Sequence, residues 1–409
     1  MRKIVSLILV IIILSFPLAS CNKYALSLKD MLIFTEVEDG FAVAGISLKD
    51  RAISIEMLDI PSEYKGKPVV EISPYGFAGY ALLISVTIPD SIKKIGQAAF
   101  SGCIVLTDVY ISQNIEYIDE AAFSGCRSIQ SFNVSENNKH FKSIDGHLFT
   151  TDNTLIQYAL GQSKTAYVLP DGTKGIGRNA LAGSLFLAQI YLPNTLERIE
   201  RQAFVQSSFL KSITFPDSVT YLGDEAFSRC WGLESVTFGN GITEIPLLTF
   251  MECTKLKNVN LGGVKIIGET AFMSCISLEH IDIPDGAIRI EDGAFGICSA
   301  LESITLPETL EYIGPRVFTN CAMLKSIDIP NNITTLGYGT FNLCTSLSEI
   351  TLPANLSKIE SLCFSGCLSL KRINFEGTME QWNAIEKESS WNLGTGKYTV
   401  YCTDGNIEK

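Results

Sequence analysis

Leu278-Glu-His-Ile-Asp-Ile-Pro-Asp-Gly-Ala-Ile-Arg-Ile-Glu-Asp-Gly-Ala-Phe-Gly-Ile-Cys298 is the stretch that most of the chain copies. The Phe of its Ala-Phe pair recurs at Phe77, Phe100, Phe123, Phe204, Phe227, Phe250, Phe272, Phe295, Phe318, Phe341 and Phe364, with Leu181 standing in once. The step is 23 residues, except for 22 between Phe250 and Phe272 and 58 between Phe123 and Leu181, which is two periods plus 12 residues. One such unit cannot bury its own apolar face, so copies must stack and share a core. A period in this range is that of a leucine-rich-repeat solenoid.

Within the unit, Ile281 and Ile283 alternate with His280, Asp282 and Pro284, the period-2 pattern of a short strand buried on one face. Proline lacks an N–H and ends the strand, and it recurs at Pro89, Pro170, Pro193, Pro216, Pro284, Pro307, Pro330 and Pro353. The shortened copy has Gly262-Gly263 in its place, a turn that absorbs the lost residue.

Outside the array, Arg2-Lys3 and the apolar run Ile4 to Leu14 form a secretory signal too short to span a membrane. Leu18-Ala19-Ser20-Cys21 follows and resembles a bacterial lipobox, which implies removal of residues 1–20 and a lipid on Cys21. Loss of Arg2 and Lys3 takes the formal net charge from -12 to -14, so nucleic acid is not an expected partner. The expected membrane contact is the N-terminal lipid, which would place the protein at the bacterial envelope, on the outer membrane or cell surface. Residues 21–60 read as an N-terminal cap, 61–373 as the solenoid and 374–409 as a C-terminal cap holding two of the three Trp residues.

The surplus residues fall near 141–160, where a hairpin about Thr151-Asp152-Asn153 is expected. Such an insert can project and carry function, or simply thicken the core.

Of twelve cysteines, nine stand three residues after the repeat's Phe, from Cys103 to Cys367, where other copies hold Tyr80, Ser184 and Ser207. Neighbouring coils bring such Cα atoms to about 5 Å, but parallel Cβ vectors misalign the sulfurs, so a ladder of free buried thiols is expected. Ligands in one straight row cannot surround zinc, and no metal or cofactor is expected. The three histidines, His140, His147 and His280, bring no catalytic motif, and His140 and His147 read as parts of a solvated loop near Asp145 and Asp152. No catalytic residue is assigned.

The unit Ile-x-Leu-Pro-x-x-Leu-x-x-Ile-Gly-x-x-Ala-Phe-x-x-Cys-x-x-Leu, as at Ile304 to Leu324, resembles the BspA-like (Treponema-type) leucine-rich repeat family from about Ile60 to Ile373. The Ser143-Ile-Asp-Gly-x-Leu-Phe149 insert and the Gly377-Thr378…Trp382…Asp404-Gly405 tail are similar to segments of bacterial members. The resemblance implies an α/β repeat solenoid, curved, with short parallel strands on its concave face. Some members are surface adhesins that bind host or extracellular-matrix proteins.

A binding reading rests on the exposed strand column Thr87, Tyr110, Asn133, Tyr191, Thr214, Thr237, Asn260, Asp282, Thr305, Asp328, Thr351 and Asn374. The Ser and Thr of this column suit a hydrogen-bonded parallel sheet. Tyr110 and Tyr191 stand out, because aromatic residues dominate contact hot spots. With Asn133, Asn260, Asp282 and Asp328 they form the candidate ligand face. A protein is the expected ligand; an envelope glycan, or a purely structural role, is the alternative.

Overall fold

The structure, a computed structural model, describes residues 31–47 and 55–409. The signal segment, Cys21 and Ile53 of the expected N-terminal cap lie outside the described residues.

Each coil contributes two short strands to two parallel ladders. The first strand spans three residues in the reference coil, His280–Asp282, with Ile281 inside and its neighbours outside. It pairs in register with Ser303–Thr305, placing Ile281 beside Ile304. After the proline turn comes a two-residue strand such as Arg289–Ile290, paired with Tyr312–Ile313. Between the ladders the Phe column is fully buried and its rings lie face to face, with centroids 5.4 Å apart and planes 3° apart for Phe272 and Phe295. The 23-residue spacing thus becomes an offset aromatic stack, which adds to the area each ring buries.

The return path to the next coil is not helical, which corrects the expected α/β class to a β-solenoid. Two residues per coil adopt left-handed backbone, one two before the Phe and one two after it, as at Arg316 (φ 55°) and Asn320 (φ 60°) around Phe318. Such residues break a right-handed helix. Their amides and that of the Phe instead donate to the next coil: Thr270 N–H to the Asp292 carbonyl at 2.9 Å, Phe272 to Ala294 at 2.8 Å and Ser274 to Gly296 at 2.8 Å. Among the described residues, the helix resolved over its whole length is Met379–Ala384, capped by Thr378, whose hydroxyl accepts from Gln381 N–H.

Both ends continue the ladders before closing them. Leu32–Val37 and Gly40–Ile46 form an antiparallel hairpin, and Gly40–Ile46 joins Lys67–Ile72 in the second ladder. Met57–Asp59 already pairs with Ser85–Thr87, so the first ladder begins inside the expected N-terminal cap. At the other end, Thr399–Cys402 adds a parallel strand to Arg372–Phe375 and is closed by antiparallel Gly405–Glu408. Trp391 takes the next place in the Phe column, its carbonyl accepting from Phe364 N–H at 2.7 Å and its ring edge-on to Phe364 at 5.9 Å.

The expected ladder of free thiols is present. All eleven described cysteines are free, and each of the nine repeat cysteines points its Sγ at the carbonyl of the preceding coil's Phe, at 3.2 Å for Cys103 to Phe77 and 3.0 Å for Cys126 to Phe100. Burial pushes the Cys230 and Cys298 thiols up to about 12.

The insert is a three-stranded meander rather than one hairpin. Phe141–Ile144 and His147–Thr150 turn about Asp145-Gly146, and His147–Thr150 then turns back to Thr154–Gln157. Asp145 (φ 53°) and Gly146 (φ 82°) are both left-handed, the backbone of a tight hairpin turn that Asp-Gly favours. The insert thickens the core at a seam: Leu148 packs with the N-terminal core, Phe149 and Leu155 with the C-terminal one.

His147 departs from the solvated-loop reading. It is fully buried, stacked on Tyr158 at 4.1 Å and edge-on to Tyr167 at 4.6 Å. His140 is exposed, as expected.

Candidate binding face

The exposed side of the first ladder is where the repeat places its variable side chains. Because period-2 geometry sends Val109 and Ile190 inward, Tyr110 and Tyr191 must face out, and they are 51% and 50% exposed. Register sets their neighbours. Tyr110 lies beside Asn133, and Tyr191 beside Val168.

Val168, 68% exposed, is a residue the sequence reading passed over. The signal was Pro170: Tyr167-Val168-Leu169-Pro170 repeats the order of Ile190-Tyr191-Leu192-Pro193, which puts Val168 in the tyrosine column. Met57, 67% exposed, was missed because it was assigned to the cap. A depression of about 300 Å³ lies beside Tyr191, lined also by Gln189, Asn194, Ser212 and Thr214.

Asn260 and Asp282 come together elsewhere on the same face. The ladder from Ala166–Val168 ends at Asn258–Asn260, and another starts at His280–Asp282, after the shortened coil with its Gly262-Gly263 turn. A depression of about 460 Å³ opens at that break, lined by Asn258, Asn260, His280 and Asp282. His280 Nε2 lies 3.0 Å from Asp282 Oδ1, and its Nδ1 lies 2.7 Å from Ser303 Oγ. The Thr305 hydroxyl, with a smaller contribution from His280, holds the Asp282 carboxyl below its ordinary range. The structure does not bring Asn133 or Asp328 to either depression: Asn133 lies beside Tyr110, and Asp328 beside Thr351.

A second aromatic group lies off this face. Phe186 (44% exposed), Phe209 (53%) and Trp231 (42%) follow the thiol position in three successive coils. Reading the positions after Ser184, Ser207 and Cys230 across copies would have found them. Among the described residues, no group of His, Cys, Asp and Glu is arranged to hold a metal ion.

A stack of coils with two parallel ladders, a buried Phe column and one variable outer face is a leucine-rich-repeat β-solenoid, here of about 14 turns of 23 residues. Residues 70–168, 174–279 and 265–385 match the BspA type leucine-rich repeat region, in six copies, and the chain belongs to that family. Among solved structures it is similar to a leucine-rich cell surface protein from Faecalibacterium prausnitzii A2-165, at 25% identity and a TM-score of 0.53, covering 87% of this chain and 96% of that one. A leucine-rich repeat protein from Eubacterium ventriosum is 15% identical over 90% of this chain and 94% of its own, with a TM-score of 0.46. One from Bacteroides ovatus is 22% identical over 90% and 98%, with a TM-score of 0.37. No curated protein matches the chain.

Proposed function

We propose that this is a non-catalytic binding protein of the bacterial cell surface, lipid-anchored through Cys21, whose first-ladder face takes a protein ligand in the manner of an adhesin. The observation that carries the reading is the half-exposed pair Tyr110 and Tyr191, together with Val168, on a face whose other side chains are mostly Ser, Thr, Asn and Asp. Large side chains held by a rigid ladder lose little entropy on contact, and such residues dominate binding energies while small polar neighbours contribute little singly. The surface location has support from the similarity to the Faecalibacterium cell surface protein.

The test is binding of the mature ectodomain to immobilised host matrix proteins and, in parallel, to envelope glycans. Against a protein that binds, Tyr110→Ala with Tyr191→Ala is expected to weaken affinity by about 2 kcal/mol or more, roughly thirtyfold. Its melting temperature should stay close to wild type, since both side chains point away from the core. Unchanged affinity would move the site off this face, and binding confined to glycans would favour the aromatic group at Phe186, Phe209 and Trp231.

A further inference from the structure

The insert interrupts the second ladder and leaves one coil without its neighbour. Tyr117–Ile118 pairs with Lys94–Ile95 on one side, but the next strand of the sequence in that ladder, Thr154–Gln157, gives the corresponding edge to His147–Thr150. In the preceding coil the Lys93 carbonyl accepts from Glu116 N–H at 2.8 Å and the Ile95 carbonyl from Asp119 N–H at 2.9 Å. The equivalent carbonyls one coil on, those of Glu116 and Ile118, accept no hydrogen bond from any described residue.

The turn repeats the pattern with donors. Ala98, Phe100 and Gly102 N–H groups reach Glu120, Ala122 and Ser124 carbonyls at 3.1, 2.8 and 2.8 Å, whereas the N–H groups of Ala121, Phe123 and Gly125 find no acceptor among the described residues. A cleft of about 240 Å³ opens along part of this edge, with the Ile118–Phe123 backbone as one wall. The Arg178 guanidinium, ion-paired to the Glu120 carboxylate, spans its mouth.

We propose that this gap is a strand-addition site, which takes an extended segment of a partner protein through main-chain hydrogen bonds in the place of the missing coil. The row of groups specifies the occupant: two carbonyls that need N–H donors, then three amides that need carbonyls, the set that the following coil supplies to Lys93, Ile95, Ala98, Phe100 and Gly102. Main-chain pairing at an exposed sheet edge is a general mode of peptide capture. The site is separate from the tyrosine face, so failure of either leaves the other standing.

Disulfide tethering supplies the test. Glu120 is exposed, so Glu120→Cys removes the ion pair at the mouth and presents a reactive thiol. Cys402→Ser leaves it the sole accessible one among the described residues, since the remaining described cysteines are buried. The tethered probe is Cys-Thr-Val-Thr-Val-Thr, compared with the same peptide N-methylated at alternate residues. Amide exchange is read at Ala121, Phe123 and Gly125. We expect these amides to exchange faster than Ala98, Phe100 and Gly102 in the free protein, and to slow by about tenfold or more with the plain peptide but not with the methylated one. Equal protection by both peptides, protection by neither, or slow exchange already in the free protein would overturn the proposal.

Discussion

At the residue scale, the most constrained polar group is His147. Its Nδ1 accepts from Ala159 N–H at 3.1 Å, which leaves the ring proton on Nε2, where no described side chain meets it. Burial, with the Lys164 charge adding to it, lowers its pKa to about 3 from an ordinary 6.5. The neutral ring is therefore favoured by the fold, and protons bind preferentially to the unfolded chain. Its contribution is complete above pH 6.5 and falls away as the pH drops toward 3, a loss of about 2 kcal/mol by pH 5. Melting temperatures of wild type and His147→Phe measured from pH 7 to 4.5 should show the wild type losing more, and parallel curves would contradict this. The thiols give a second expectation at this scale. Native protein should resist alkylation at the nine repeat cysteines, and denatured protein without reductant should react at all of them; blocked thiols would reveal disulfides.

At the scale of the element, the Phe column carries the stability. Phe295 is fully buried, with ring centroids 5.4 Å from Phe272 and 6.1 Å from Phe318. Phe295→Ala is expected to cost about 3 to 5 kcal/mol in chemical denaturation. A loss under about 1 kcal/mol would mean that the stack relaxes around the gap. The strands were legible because alternation and proline fix them locally, and the thiol ladder because a repeated position must share one environment. The non-helical return was not legible: the left-handed sites accept Ala98, Glu225, Leu248, Thr270 and Ile297, residues whose intrinsic preferences lie elsewhere. Bonding between coils overrides those preferences, and a single sequence does not display that bonding. His147 was misread for a related reason: its burial comes from Tyr158 and Tyr167, which pack against it only once the meander has formed.

At the scale of the whole molecule, the candidate face was legible column by column, but its breaks were not. The depression at Asn260 and Asp282 lies where two ladders fail to join, beside the Gly262-Gly263 turn, and which coils pair is set in three dimensions rather than by any one column. Among the described residues no helix is long and apolar enough to cross a membrane; the proposed attachment is the lipid on Cys21. Cys21→Ala is expected to release the protein from membranes on alkaline washing, and mass spectrometry of the wild type should find acyl chains on its N-terminal peptide. Retention of the variant, with no acyl chains on the wild type, would refute the anchor.

Trp391 stands where the next Phe would stand; Glu386–Lys387 before it extends the second ladder and Thr399–Cys402 after it extends the first, before the chain turns back. The terminus is thus a modified repeat that meets a coil of ordinary shape. Nothing in that junction counts how many coils precede it. A duplication or deletion of one 23-residue cassette between Leu181 and Phe364 would leave the meander and both ends undisturbed, and would lengthen or shorten the display surface by a single rung. Such a gene can vary its reach by unequal recombination without relearning how to fold.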